Sequence, residues 1–86
     1  MKKSIFSFFS DISKTLAADK YFRKGNELYD SGNYEEAIKF YDKAMEIKPD
    51  VYEALGNKGM ALYYLDKFNE SQVYLNMAEE IKKQWK

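Results

Sequence analysis

The sequence predicts an all-α fold of stacked antiparallel helical hairpins, and three observations predict it. The chain repeats itself after 34 residues, each copy carries apolar stripes at helical spacing, and a break divides each copy into two helices. When residues 18–52 are set against residues 52–86, nine of the 35 pairs are identical, where chance gives about two. Lys24-Gly25 recurs as Lys58-Gly59 and Leu28-Tyr29 as Leu62-Tyr63. Glu36 recurs as Glu70, Ala44 as Ala78 and Glu46-Ile47-Lys48 as Glu80-Ile81-Lys82. Tyr34 with Phe68, Ala37 with Ser71 and Phe40 with Tyr74 are conservative pairs.

Residues 1–17 precede the repeat. Ile5, Phe9, Ile12 and Leu16 recur at alternating steps of four and three, with Phe6 and Phe8 beside them, while Ser7, Ser10, Asp11 and Lys14 face elsewhere. This is an amphipathic helix. Three roles are open to it: a cap or groove filler on its own repeats, a contact with a second chain in a homodimer, or a membrane-surface helix. The last is disfavoured by a serine-rich, weakly basic polar face. The serines and Asp11 also interrupt the apolar run too early for a secretion signal.

The first copy spans residues 18–51. Asp19 to about Ser31 carries Tyr21, Gly25 and Leu28 on one face of a helix. Gly32-Asn33 breaks it, and Asn33 with Glu36 is expected to form a capping box for the next helix. Ala37, Ile38, Tyr41, Ala44, Met45 and Ile47 then form an apolar stripe. Pro49 ends this helix, because the residue before proline disfavours the α region. Asp50, with Glu53 three residues on, is expected to cap the next. The second copy, residues 52–86, is expected to run from about Val51 to Tyr64, turn through Leu65-Asp66-Lys67, and continue to about Gln84. Its turn lacks the glycine and the asparagine and is expected to be less well defined. Gly25 opposite Ala37, and Gly59 opposite Ser71, are expected to let paired helices approach closely, which justifies the cost of about 1 kcal/mol for a helical glycine.

The period and these residues resemble the tetratricopeptide repeat. Tyr21, Gly25, Leu28, Gly32-Asn33-Tyr34, Ala37, Tyr41, Ala44 and Pro49 carry the likeness in the first copy; Leu55, Gly59, Leu62, Phe68, Ser71, Leu75 and Ala78 carry it in the second. The chain departs from the family at Lys24, where leucine is usual, and at Asp66 and Lys83, where glycine and proline are usual. The resemblance implies a short right-handed α-solenoid whose first helices line a concave groove that binds a protein or peptide partner, without catalysis or cofactor. Phe22, Arg23, Asn26 and Tyr29 from the first copy, and Asn57, Met60, Tyr63 and Tyr64 from the second, stand at groove positions, with Glu53 at the edge. Some family members grip a terminal carboxylate with Asn, Lys and Arg side chains. Asn26 and Asn57 match two of those positions, whereas Phe22 stands where a lysine would.

Composition narrows the function further. With 14 basic and 14 acidic residues the formal net charge is zero, which gives nucleic acid no electrostatic footing. Cysteine and histidine are both absent, so thiol catalysis, thiolate metal sites and the usual neutral-pH proton carrier are excluded. No phosphate-binding glycine loop or metal-ligand spacing occurs, so an enzyme is not expected. A cysteine-free chain fits the cytoplasm. Two repeats bury little core, and Val73, Met77 and Trp85 are expected to stay partly uncovered. A self-associating structural protein, held together by the N-terminal helix and the open last hairpin, is therefore the alternative to a peptide-binding scaffold.

Overall fold

The structure, a computed structural model, describes residues 4–84. Among these residues are four α-helices and no strand: α1 (Ile5–Asp30), α2 (Tyr34–Ile47), α3 (Tyr52–Tyr64) and α4 (Phe68–Gln84). Three-residue turns join α1 to α2 and α3 to α4, which forces each pair to pack antiparallel. The two hairpins then pack on each other mainly through α2 and α3. This is the all-α hairpin stack that the repeat predicts. Trp85 lies outside the described residues; Val73 and Met77 are exposed, as expected.

The N-terminal segment is not a separate helix. It is the first half of α1, which the Ser4 side chain starts by accepting a hydrogen bond from the Ser7 N–H (3.2 Å). Nothing between Leu16 and Asp19 breaks the helix, because Ala17-Ala18 are strong helix formers. At 1.5 Å per residue α1 is about 39 Å long, most of the molecule's 46 Å longest dimension. Its second half packs on α2, whereas Ile5, Phe6, Phe8, Phe9, Ile12 and Leu16 are all exposed. Within one chain the segment therefore covers neither the hairpins nor a groove.

The core is small and built from small residues. Ala37, Tyr41 and Ala54 form its centre, with Phe22, Leu28, Tyr29, Met45 and Val51 packed around them. Tyr41 is the largest fully buried side chain. Its ring lies on Gly25, so a Cβ at residue 25 would stand only 2.6 Å from Tyr41 Cε1. In the second hairpin Gly59 makes the same accommodation for Leu75, at 2.8 Å. The atoms nearest a Cβ at residue 25 thus belong to Tyr41, one turn beyond the expected Ala37. Ser71 does face Gly59, and its hydroxyl donates to the Gly59 carbonyl (2.7 Å).

Two expectations about the turns and caps are corrected. The second turn is as well defined as the first. Gly32 N–H donates to Tyr29 O (3.0 Å) and Asn33 N–H to Leu28 O (2.8 Å); 34 residues on, Asp66 N–H donates to Tyr63 O (3.0 Å) and Lys67 N–H to Leu62 O (2.9 Å). Gly32 (φ 83°) and Asp66 (φ 64°) both take the left-handed conformation, which aspartate tolerates better than most residues. The capping boxes, in contrast, do not form. Asn33 occupies the cap of α2 but donates sideways to the Ser31 hydroxyl (3.0 Å), and the cap of α3 is Val51, one residue beyond Asp50. The α2 helix ends as proline requires, with Lys48 extended at φ −133°, ψ 93°.

The glycine contacts predict substitutions of opposite sign. Gly25→Ala should destabilise the chain by about 1–3 kcal/mol, because the added methyl meets a buried ring that cannot retreat. Gly56→Ala meets only an ordinary contact, 3.8 Å from Ala78 Cβ, and should stabilise by up to about 1 kcal/mol through helix propensity. Urea unfolding of the two variants against the parent checks both signs.

Candidate peptide-binding face

The helices α1 and α3 lie side by side and run in the same direction, because successive contacts advance together along both. At one end a cavity of about 460 Å³ opens between Thr15, Ala18, Asp19 and Phe22 of α1 and the stretch Lys48, Asp50, Val51, Tyr52 and Glu53 leading into α3. Its floor is apolar, from Ala18, Phe22 and Val51. Three carboxylates border it against one lysine, and the Asp19 carboxylate also pairs with Arg23 at 2.9 Å.

One turn further on, the helices are bridged by amides. Asn26 Oδ1 accepts from the Tyr41 hydroxyl (2.7 Å) and from Asn57 Nδ2 (2.9 Å). A single oxygen thus ties α1, α2 and α3 together. The Tyr41 ring also packs on Phe22, at 5.9 Å between centroids. Burial pushes the Tyr41 phenol up to about 12, against an opposing pull from the neighbouring Asn57 side chain.

At the far end five aromatic rings join the two hairpin turns. Tyr34 stacks on Tyr64 (5.0 Å, 16°), and Tyr29 meets both edge-on at 5.3 and 6.1 Å. Tyr63 continues the cluster to Phe68 at 5.2 Å. Tyr29 is held above the ordinary phenol range by burial and by the adjacent Tyr64 and Tyr34 phenols.

The structure therefore brings Phe22, Asn26, Tyr29, Asn57 and Tyr64 onto one continuous face. Met60 is half-buried on α3. Tyr63 lies toward the second turn, against Phe68, and Arg23 is exposed in its pair with Asp19. Sequence reasoning missed the Tyr41 hydroxyl, since a tyrosine in an apolar stripe reads as core, and it missed Lys48, Asp50, Val51 and Tyr52 as cavity walls. It also missed Lys58. The Lys58 ammonium meets Asp42 at 2.7 Å and sits 4.2 Å from the centre of the Tyr74 ring, joining α3 to α2 and α4. Burial opposes the charge, but Asp42 and the adjacent Tyr74 outweigh it and raise the lysine above its ordinary value.

Comparison with known proteins matches the first repeat to a family. The profile of the tetratricopeptide repeat matches residues 18–51. Residues 18–51 are a tetratricopeptide repeat. The second hairpin restates that repeat's turn and glycine contact at a 34-residue offset. The chain is 34% identical over 55 residues to the uncharacterized protein MJ0572 of Methanocaldococcus jannaschii, an alignment covering 64% of each. It is 29% identical over 68 residues to the STIP1 homolog of Dictyostelium discoideum, covering 79% of this chain and 12% of that protein. It is 32% identical over 75 residues to RNA polymerase II-associated protein 3 of Gallus gallus, covering 87% of this chain and 11% of that one. The matched region is thus just under two thirds of the first relative's length and a small part of the other two. No solved structure matches the chain. No helix among the described residues is long and apolar enough to cross a membrane.

The buried phenol predicts an alkaline loss of stability. The fold keeps Tyr41 protonated to about pH 12, against an ordinary value of 10.0. Above about pH 10 the unfolded chain releases this proton first, so the contribution is complete below that pH and is lost as pH rises through the folded value. Lys58, also raised, acts in the same direction. Unfolding free energy should fall between pH 10 and 12. Tyr41→Phe should flatten that fall, at a cost of about 1 kcal/mol near neutrality for the lost hydrogen bond. Denaturant unfolding measured at each pH checks it.

Proposed function

We propose that the chain is a non-catalytic scaffold that binds an extended protein segment along the face shared by α1 and α3. The cavity beside Phe22 carries this reading, because it lies in line with the amide bridge and the tyrosine cluster. Together they form a track with an apolar hole at one end, polar groups in the middle and aromatic rings at the other. Ligand sites commonly combine these parts, an apolar wall with a few placed polar groups. Membership of a repeat family whose role is protein interaction supports the same use.

The track also selects its ligand. An apolar side chain fits against Ala18, Phe22 and Val51, and the carboxylates of Asp50 and Glu53 favour a basic residue beside it. The far tyrosines offer broad contact area at low entropic cost. A carboxylate clamp is a poorer fit. Phe22 supplies no cation, and the Asn26 carbonyl already accepts two hydrogen bonds that hold the helices together.

Titrating short apolar-basic peptides selected from an array against the intact chain tests this. Glu53→Lys should weaken the best binder about tenfold by reversing the charge at the cavity, and Tyr64→Ala should weaken it comparably at the other end. Binding that ignores both substitutions would place the ligand elsewhere and end this reading.

A further inference from the structure

The first half of α1 has its apolar stripe on the wrong side for its own chain. Residues advance about 100° around a helix at 3.6 per turn. The row Ile5, Phe9, Ile12 and Leu16 therefore lies about half a turn away from Ala18 and Gly25, the two buried positions of α1. The helix does not bend back, and α2, at 14 residues, ends well short of it. Six large apolar side chains consequently stand 42–81% exposed on three turns. The patch adjoins the peptide track at Thr15, and its apolar side chains lie outside that track's cavity.

We propose that this patch is the contact for a second copy of the chain, in a symmetric dimer that pairs the two N-terminal halves of α1. Four features select that occupant. The four-three spacing of Ile5, Phe9, Ile12 and Leu16 is the seam by which two helices interlock. Beside it Phe8, Asp11, Ile12, Thr15 and Leu16 border a shallow open hollow on the helix surface, against which a side chain of a facing helix packs. The same segment supplies the large side chains, Phe6, Phe8 and Phe9, that fill such a hollow, so the patch is complementary to itself. The seam also stops where Asp19 and Arg23 take its next two positions and pair with each other at 2.9 Å.

Area and charge agree with this. An aromatic side chain buries about 150–250 Å², so at 58–81% exposure Phe6, Phe8 and Phe9 alone offer about 300–500 Å² per copy. With Ile5, Ile12 and Leu16 added on both copies, the pair reaches the lower part of the range of about 1,200–2,000 Å² for a stable interface. The positions directly flanking the seam, Phe6, Phe8, Ser13 and Thr15, are all uncharged, and Asp11 stands at the rim of the hollow. The Thr15 hydroxyl already donates to the Asp11 carbonyl (2.9 Å) and demands no partner. A lipid surface is the poorer fit, because the acidic Asp11 borders the hollow and the outward face is serine-rich around Lys14, whereas surface-bound helices carry a basic face.

Sedimentation of the full chain from low to high micromolar concentration tests the proposal. The parent should sediment as a dimer. Ile12→Asp, at the centre of the seam, should raise the dissociation constant about a hundredfold while the thermal transition of the hairpins remains. Ile5→Asp separates assembly from helix formation: a carboxylate in the first turn favours the helix yet removes a seam residue, so it should weaken the dimer without loss of helical ellipticity. Val73→Asp, on the exposed side of α4, should leave the dimer intact. A parent that stays monomeric throughout overturns the proposal, including one that instead floats with phosphatidylserine vesicles. So does a dimer that survives Ile12→Asp or dissociates only on Val73→Asp. Peptide binding at Glu53 and Tyr64 is unaffected by seam substitutions, so each reading fails separately.

Discussion

The Tyr41 ring sits where three helices meet, and most of the molecule depends on how it is accommodated. Its apolar faces need close packing, which Gly25 on α1 permits by having no side chain, and which Phe22 completes. Its hydroxyl needs a partner, since an unpaired buried polar group costs about 1–3 kcal/mol. Asn26 provides it, and the same oxygen then accepts from Asn57. One buried side chain thus sets the approach of α1 to α2 and the lateral spacing of α1 from α3. The cavity beside Phe22 and the tyrosine cluster are what remains on either side of that fixed point. A core otherwise dominated by alanines has little else to impose register.

Much of this order is legible in the sequence, for a physical reason. The 34-residue offset records two backbone solutions to one problem, and the residues that define it, Gly25 with Gly59 and Leu28 with Leu62, make repeated contacts. The turns were harder to read. A left-handed residue usually announces itself as glycine, and Asp66 hides the same conformation behind a side chain. The caps misled because Asn33 and Asp50 have the right chemistry, but the chain enters each helix with the side chain aimed elsewhere. The candidate face was read in part. Asn26, Asn57 and Phe22 follow from helical register alone, whereas Asp50 and Val51 join it only because a connecting stretch folds against α1, and no periodicity records that.

The N-terminal segment shows a different limit. A stripe at helical spacing predicts a helix and its apolar face, and both are present. The spacing does not say whether that helix stops before the next one starts. Here Ala17-Ala18 carry it straight through, while the apolar side changes from one flank to the other. Two short amphipathic helices and one long helix with two opposed faces share the same local pattern; only the absence of a breaker separates them.

Lys24 and Lys58 occupy the same place in successive repeats and lead different lives. Lys24 stands in solvent beside Glu27 on its own helix; Lys58, only 13% exposed, reaches back to Asp42 of the preceding helix and lies on Tyr74. The residue is unchanged, and its surroundings make the difference: the second hairpin brings Tyr74 where the first has Phe40, and α2 brings Asp42. Two blocks that share only nine of 35 residues therefore give one lysine two trades, a solvated charge on the first and a rivet between hairpins on the second.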